Sequence, residues 1–159
     1  MKIKSVLSMG LVCAGLTVGG FTYINANAKY VGHNSTPTEL RGTWHRYNGH
    51  NKWDIYKITK KSVKYNGYLL YSTSKGGSNK LFIKPLNKKV TGGSGVSYIL
   101  NGHFKNDDTF GEFWLSHQKV NGHRVLKNYH LMGQYNVFTK SKVKYNYSYH
   151  KNSFKDIGR

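Results

Sequence analysis

From Leu40 onward, short runs of Tyr, Val, Ile, Phe, Trp and Thr alternate with breaks of Gly, Asn, Lys and Ser. No stretch there sustains a helical period. The clearest alternation comes near the end, where Val143, Tyr145, Tyr147 and Tyr149 share one face and Lys144, Asn146, Ser148 and His150 the other. The pattern predicts strands over 40–47, 52–59, 62–65, 68–73, 80–84, 96–100, 103–105, 110–118, 123–131, 134–139 and 142–150. Asn-Gly occurs four times, at 48–49, 66–67, 101–102 and 121–122, each between β-type runs. Two-residue hairpin turns need positive φ at both central positions, which Asn tolerates and Gly accepts freely, so four hairpins are expected. The fold class expected is all-β. An up-and-down antiparallel meander of this many strands protects its edges by closing into a barrel or a strongly curved sandwich, the barrel being preferred.

The first apolar run differs in kind. Lys2 and Lys4 precede a mostly apolar stretch from Ser5 to Phe21, and Ala26-Asn27-Ala28 offers a small-x-small cleavage pattern. The run is about 17 residues, short of the roughly 20 of a spanning helix. Residues 1–28 therefore read as a signal peptide, with no transmembrane anchor after cleavage. Residues 29–39, poor in apolar residues and containing Pro37, read as a flexible leader, 40–150 as a single barrel domain, and 151–159 as a C-terminal tail. Cys13 is the one cysteine and lies within the apolar run, after Leu11 and Val12 and not after small residues, so a lipoprotein site is not indicated. The exported part then holds no disulfide, a habit that suits a Gram-positive bacterium.

Charge narrows the partners. The whole chain carries a formal +19, and loss of Lys2 and Lys4 leaves +17. Such a field attracts polyanions: anionic cell-wall polymers, acidic polysaccharide, anionic lipid or nucleic acid. The lysines expected at turns, Lys60, Lys61, Lys88, Lys89, Lys140 and Lys142, are the candidate ligand-binding residues, placed to reach phosphates.

Leu40-Arg41-Gly42-Thr43-Trp44 opens the folded part. In a strand Gly42 and Trp44 share a face, where Gly admits a close crossing and Trp fills the space beside it. This opening resembles the Gly-x-Trp start of lipocalin-like barrels and small secreted proteins of lactic-acid bacteria. The resemblance implies that Gly42 and Trp44 close one end of a barrel whose interior holds either an apolar ligand or packed side chains. The chain departs from lipocalins in lacking a Thr-Asp-Tyr motif, a clear C-terminal helix and an evident arginine to stack on Trp44.

Catalytic chemistry is thinly represented. Glu112, His117 and Arg124 supply the residue types of a base, an acid and a phosphate clamp. Strict alternation, however, points Glu112 and His117 to opposite faces. His50, His103 and His123 each follow an Asn-Gly pair, but their spacing matches no compact metal motif. Neither a metal nor a cofactor is called for. Trp44 and Trp53 are expected in the core, one of Phe113 and Trp114 is expected to face outward, and Tyr145, Tyr147 and Tyr149 form either a core face or a binding face. Thr59–Asn66 and Thr139–Asn146 echo each other as strand, lysine turn, strand. The function expected is a secreted cationic binding protein held near the cell surface by polyanions. A secreted hydrolase, nuclease-like or wall-active, is the alternative.

Overall fold

The computed structural model describes residues 34–86, 95–100, 111–153 and 155–159. The expected signal peptide, Lys88, Lys89, His103, the Asn101–Gly102 turn and the strand expected over 103–105 lie outside them. Among the described residues the strands are β1 (Gly42–Tyr47), β2 (Trp53–Thr59), β3 (Ser62–Tyr65), β4 (Tyr68–Ser72), β5 (Ile83–Leu86), β6 (Ser97–Leu100), β7 (Glu112–Val120), β8 (His123–Tyr129), β9 (Gln134–Phe138) and β10 (Tyr149–His150). The fold is all-β. Antiparallel pairing orders them into a four-stranded sheet, β1-β2-β3-β4, and a six-stranded sheet, β10-β9-β8-β7-β6-β5.

Turn chemistry explains the short connections. Asn66–Gly67 (φ 48° and 86°) and Asn121–Gly122 (φ 50° and 77°) are left-handed at both positions and close the β3–β4 and β7–β8 hairpins. That conformation matches the right-handed twist of the paired strands. Asn48–Gly49 departs from the expected two-residue turn. Gly49, His50 and Asn51 all take positive φ, and the Asn48 amide donates to the Lys52 carbonyl across a longer loop.

The largest departure is the last strand. Of 142–150 only Tyr149–His150 pairs, opposite Tyr135 and Gln134 of β9. The reason lies at Thr139, whose amide and carbonyl both bond to His45 of β1 at 2.8 Å. With that flank occupied, the chain after Thr139 leaves the sheet; the Thr139 hydroxyl donates to the Ser141 carbonyl. The echo therefore fails structurally: Thr59–Ser62 is a hairpin turn and Thr139–Lys142 is not.

Among the described residues neither sheet closes on itself. They are joined at β1 by the His45–Thr139 bridge and at β4 by a parallel bridge between Ser72 and Lys80, just before β5. Between them sits one core, where Trp44, Tyr56, Ile58 and Val63 of the smaller sheet meet Ile83, Phe113, Leu126 and Phe138 of the larger. The Tyr56 ring lies 5.4 Å from Phe113 and 5.0 Å from Phe138, both edge-on, and burial pushes its hydroxyl pKa up. Beside it, buried Asp54 pairs with Arg46 at 2.6 Å and accepts from Asn66. Arg46 also donates to Asn136, tying β1 to β9.

A second cluster, Trp114, Tyr135 and Ile157, lies on the outer face of the larger sheet. Phe113 and Trp114 are therefore both fully buried, where only one was expected to be. The cause is residues 155–159, which pack onto β7 and β8. His117 donates its amide to the Gly158 carbonyl at 2.9 Å, and Lys127 donates to Ile157 at 3.0 Å. Gly158 sits at φ 76°, and a Cβ there would fall 2.2 Å from Ser116 Oγ, so glycine is needed for this close approach.

Candidate functional site

The smaller sheet has one face in the core and one toward solvent. Alternation along β1 and β2 turns Trp44, Arg46, Asp54, Tyr56 and Ile58 inward and Thr43, His45, Tyr47, Trp53, Ile55 and Lys57 outward. Register then builds the outer face. Tyr47 stands opposite Trp53, and His45 opposite Ile55. Thr43 stands opposite Lys57, which in turn faces Lys64 of β3. Two exposed lysines thus sit side by side across a strand pair, an arrangement that like-charge repulsion disfavours. Lys60 and Lys61 form the exposed β2–β3 turn at the end of the same pair. Leu69, 39% exposed, continues the Lys57–Lys64 row onto β4.

Trp53 belongs to this face and not to the core where it was expected. Its ring is 5.1 Å from Tyr47 at a 58° tilt and 6.4 Å from the edge-on imidazole of His45. The ammonium of Lys142 lies over it, 5.9 Å from the ring centroid. The face therefore joins aromatic and cationic groups.

Of the lysines singled out from sequence, Lys60, Lys61 and Lys142 are exposed and border this sheet. Lys140 is committed elsewhere. Its ammonium lies 3.6 Å from the centroid of the fully buried Trp44 ring and donates to the Arg41 carbonyl at 2.9 Å. Burial pushes its pKa down. A Cβ on Gly42 would meet that ammonium at 2.3 Å, so Gly42, Trp44 and Lys140 form one packed unit. The Trp44 indole N–H donates to Leu40 at 2.8 Å and completes it. A lysine thus takes the place over Trp44 for which no arginine was evident.

The Glu112, His117 and Arg124 set does not assemble as a catalytic group. The Glu112 carboxylate is 2.8 Å from the Arg159 guanidinium, and burial raises its pKa against the opposing pull of Ser97 and Arg159. His117 Nδ1 contacts the Arg159 carbonyl oxygen at 2.9 Å. The register shift in β7 between Leu115 and Lys119 breaks the alternation that would oppose His117 to Glu112. Arg124 is engaged there, donating to the carbonyls of Leu115 and Ser116. Among the described residues no three His, Cys, Asp or Glu side chains gather as a metal site would require.

A cavity of about 480 Å³ opens beside the β8–β9 turn, lined by Tyr129, Met132, Tyr135, His150 and Lys151 among others. The Lys151 ammonium is taken by the Lys155 carbonyl at 2.6 Å, so its cation is already engaged. The outer face of the smaller sheet is the better candidate. Sequence reasoning missed Lys57, Lys64 and the outward Trp53. The signal was present, because Trp53 shares its parity with Lys57 and Thr59. The chain matches no family model, no curated protein and no solved structure.

Proposed function

We propose that this chain is a secreted cationic binding protein, retained near the cell surface of a Gram-positive bacterium by contact with anionic wall polymers. The outer face of the four-stranded sheet makes that contact. The carrying observation is the Lys57–Lys64 pair, two exposed cations held directly opposite each other with Lys60 and Lys61 at the adjoining turn. An anion bridging the pair relieves repulsion that the fold otherwise bears. The two bridges between the sheets support a lipocalin-like barrel or curved sandwich, closed at the Gly42–Trp44–Lys140 end. The packed rings of Trp44, Tyr56, Phe113 and Phe138 favour a surface ligand over an apolar one held inside.

The test is binding of the exported chain to Gram-positive walls with and without their teichoic acids, across a salt series. Retention that needs the anionic polymer and falls steeply from about 0.05 to 0.5 M salt is expected, because exposed charges are screened over that range. Binding indifferent to salt would reject the proposal.

A further inference from the structure

We infer that Trp53, flanked by Tyr47, is a seat for the sugar ring of a sugar-phosphate polymer whose phosphates engage Lys142 and the Lys57–Lys64 pair. The inference rests on the polyanion reading above and adds a ligand class to it.

Position comes first. Trp53 points away from the core because Asp54, Tyr56 and Ile58 occupy the inward positions of β2. Among the described residues its ring neighbours meet it obliquely, Tyr47 tilted by 58° and His45 by 89°. Neither is stacked parallel on the indole. By contrast Tyr135, on the covered sheet, has Tyr149 stacked on it at 13°. Single apolar side chains on a surface need no explanation. Here half-buried Tyr47, Trp53 and Ile55 gather on one face at the same end of the sheet.

Chemistry selects the occupant. An indole face is electron-rich and attracts the weakly positive C–H face of a sugar, as it attracts cations. The Lys142 ammonium, 5.9 Å out from the ring centroid, is near enough to meet a phosphate carried by a sugar resting on the ring. Four residues along β2 separate Trp53 from Lys57, about 13 Å at strand rise. One phosphate or one monosaccharide does not span that distance, whereas a polymer does. Charge complementarity makes the polymer anionic. Nucleic acid shares phosphates, but single-strand binders stack successive bases on successive aromatic platforms. The oblique Tyr47–Trp53 pair offers one broad ring, which suits a chain with isolated sugars better.

The experiment uses the exported chain and three probes: inorganic polyphosphate, a glycerol-phosphate polymer bearing hexose substituents, and a single-stranded DNA oligomer. Trp53→Ala is expected to weaken binding to the sugar-bearing polymer by about tenfold, in line with loss of one ring-stacking contact, and to leave polyphosphate binding within about twofold. The double variant Lys57→Gln/Lys64→Gln is expected to weaken both. Wild-type tryptophan fluorescence gives a readout independent of how the variants fold. Trp44 and Trp114 are fully buried, so emission is expected to shift with the sugar-bearing polymer and not with polyphosphate. Equal loss of all three probes in Trp53→Ala, or no emission change with the sugar-bearing polymer, overturns the sugar seat while leaving the charge reading in place. A larger Trp53→Ala loss for DNA than for the sugar-bearing polymer also overturns it, in favour of base stacking. Failure of the wild-type chain to bind polyphosphate or the sugar-bearing polymer overturns the underlying reading itself.

Discussion

The two sheets share one core and differ in what lies behind them. The outer side of the four-stranded sheet faces solvent, and β2 alternates cleanly: Asp54, Tyr56 and Ile58 are buried while Trp53, Ile55, Lys57 and Thr59 are not. Behind the middle of the six-stranded sheet lie residues 155–159, and parts of β6 to β9 are buried on both faces. In β8, Val125, Leu126, Lys127 and Asn128 are buried in succession. Covering a face removes its groups from binding and turns them into structure. Lys127 illustrates this, with its ammonium bonded to Ile157 and to the Tyr149 hydroxyl at 3.0 Å each. The open sheet keeps its cations available. In the function proposed above, recognition falls to the open sheet alone, while both sheets supply the core.

The strongest way to break this comparison is to remove one tryptophan from each outer face. Trp114, fully buried beneath residues 155–159 with Arg159 over its ring at 4.9 Å, is expected to cost about 3–5 kcal/mol on replacement by alanine. Trp53→Ala, on the open face, is expected to cost about 1 kcal/mol or less. Urea unfolding of the two variants measures the difference. Similar losses would show that the outer face of the smaller sheet is core in all but position.

Next in size is the titration of Lys127. Burial, followed by the charge of Lys151, lowers its pKa from 10.5 to about 8. A base with a lowered folded pKa binds fewer protons when folded than when unfolded. The full cost of its charge is therefore present below about pH 8 and lifts as pH rises toward 10.5. Tyr149, whose hydroxyl meets the same ammonium, has its pKa pushed up to about 12 by burial and by Tyr135, so it stays neutral through most of that window. Relative to Lys127→Met, the native protein should gain about 2–3 kcal/mol between those pH values. A flat difference would mean that the ammonium is better solvated than its burial implies.

These cases also show what was legible in the sequence. Where one face meets solvent, period-two alternation is an adequate guide, and β1 to β4 follow the expected strands closely. The Asn66–Gly67 and Asn121–Gly122 turns were legible for a local reason, since few residue pairs accept positive φ at both positions. Trp53 is expected in the core, although its parity with Lys57 places it outside. Phe113 and Trp114 could not both be read as buried, because the cover over Trp114 comes from residues more than forty positions away. The tyrosines at 143–150 carried the clearest alternation and formed the least strand. Their place beside β9 was taken by His45 of β1, a competition between distant segments that local pattern does not encode.

A smaller effect sharpens the role of the cover. Gly158→Ala introduces a Cβ 2.2 Å from Ser116 Oγ at a φ of 76°, and is expected to cost about 1–2 kcal/mol. The loss should be local. Hydrogen exchange of the His117 amide, which donates to the Gly158 carbonyl, should quicken, while that of Ile55, which donates to Asn66 in the smaller sheet, should not. Equal quickening at both amides would mean that the two sheets open together.

The smallest expected change bears most directly on function. Lys64→Gln removes one of two like charges directly opposite each other, and should stabilise the fold by a few tenths of a kcal/mol in low salt. Salt that already screens the pair should erase that gain, since the Debye length falls to about 10 Å at 0.1 M and about 3 Å at 1 M. The same substitution should weaken polyphosphate binding. A group that slightly harms the folded protein while improving its hold on an anion is placed for recognition and not for folding. If Lys64→Gln instead destabilised the protein and left binding unchanged, the lysine stem would be acting as sheet packing. The open face would then lose the feature that distinguishes it from the covered one.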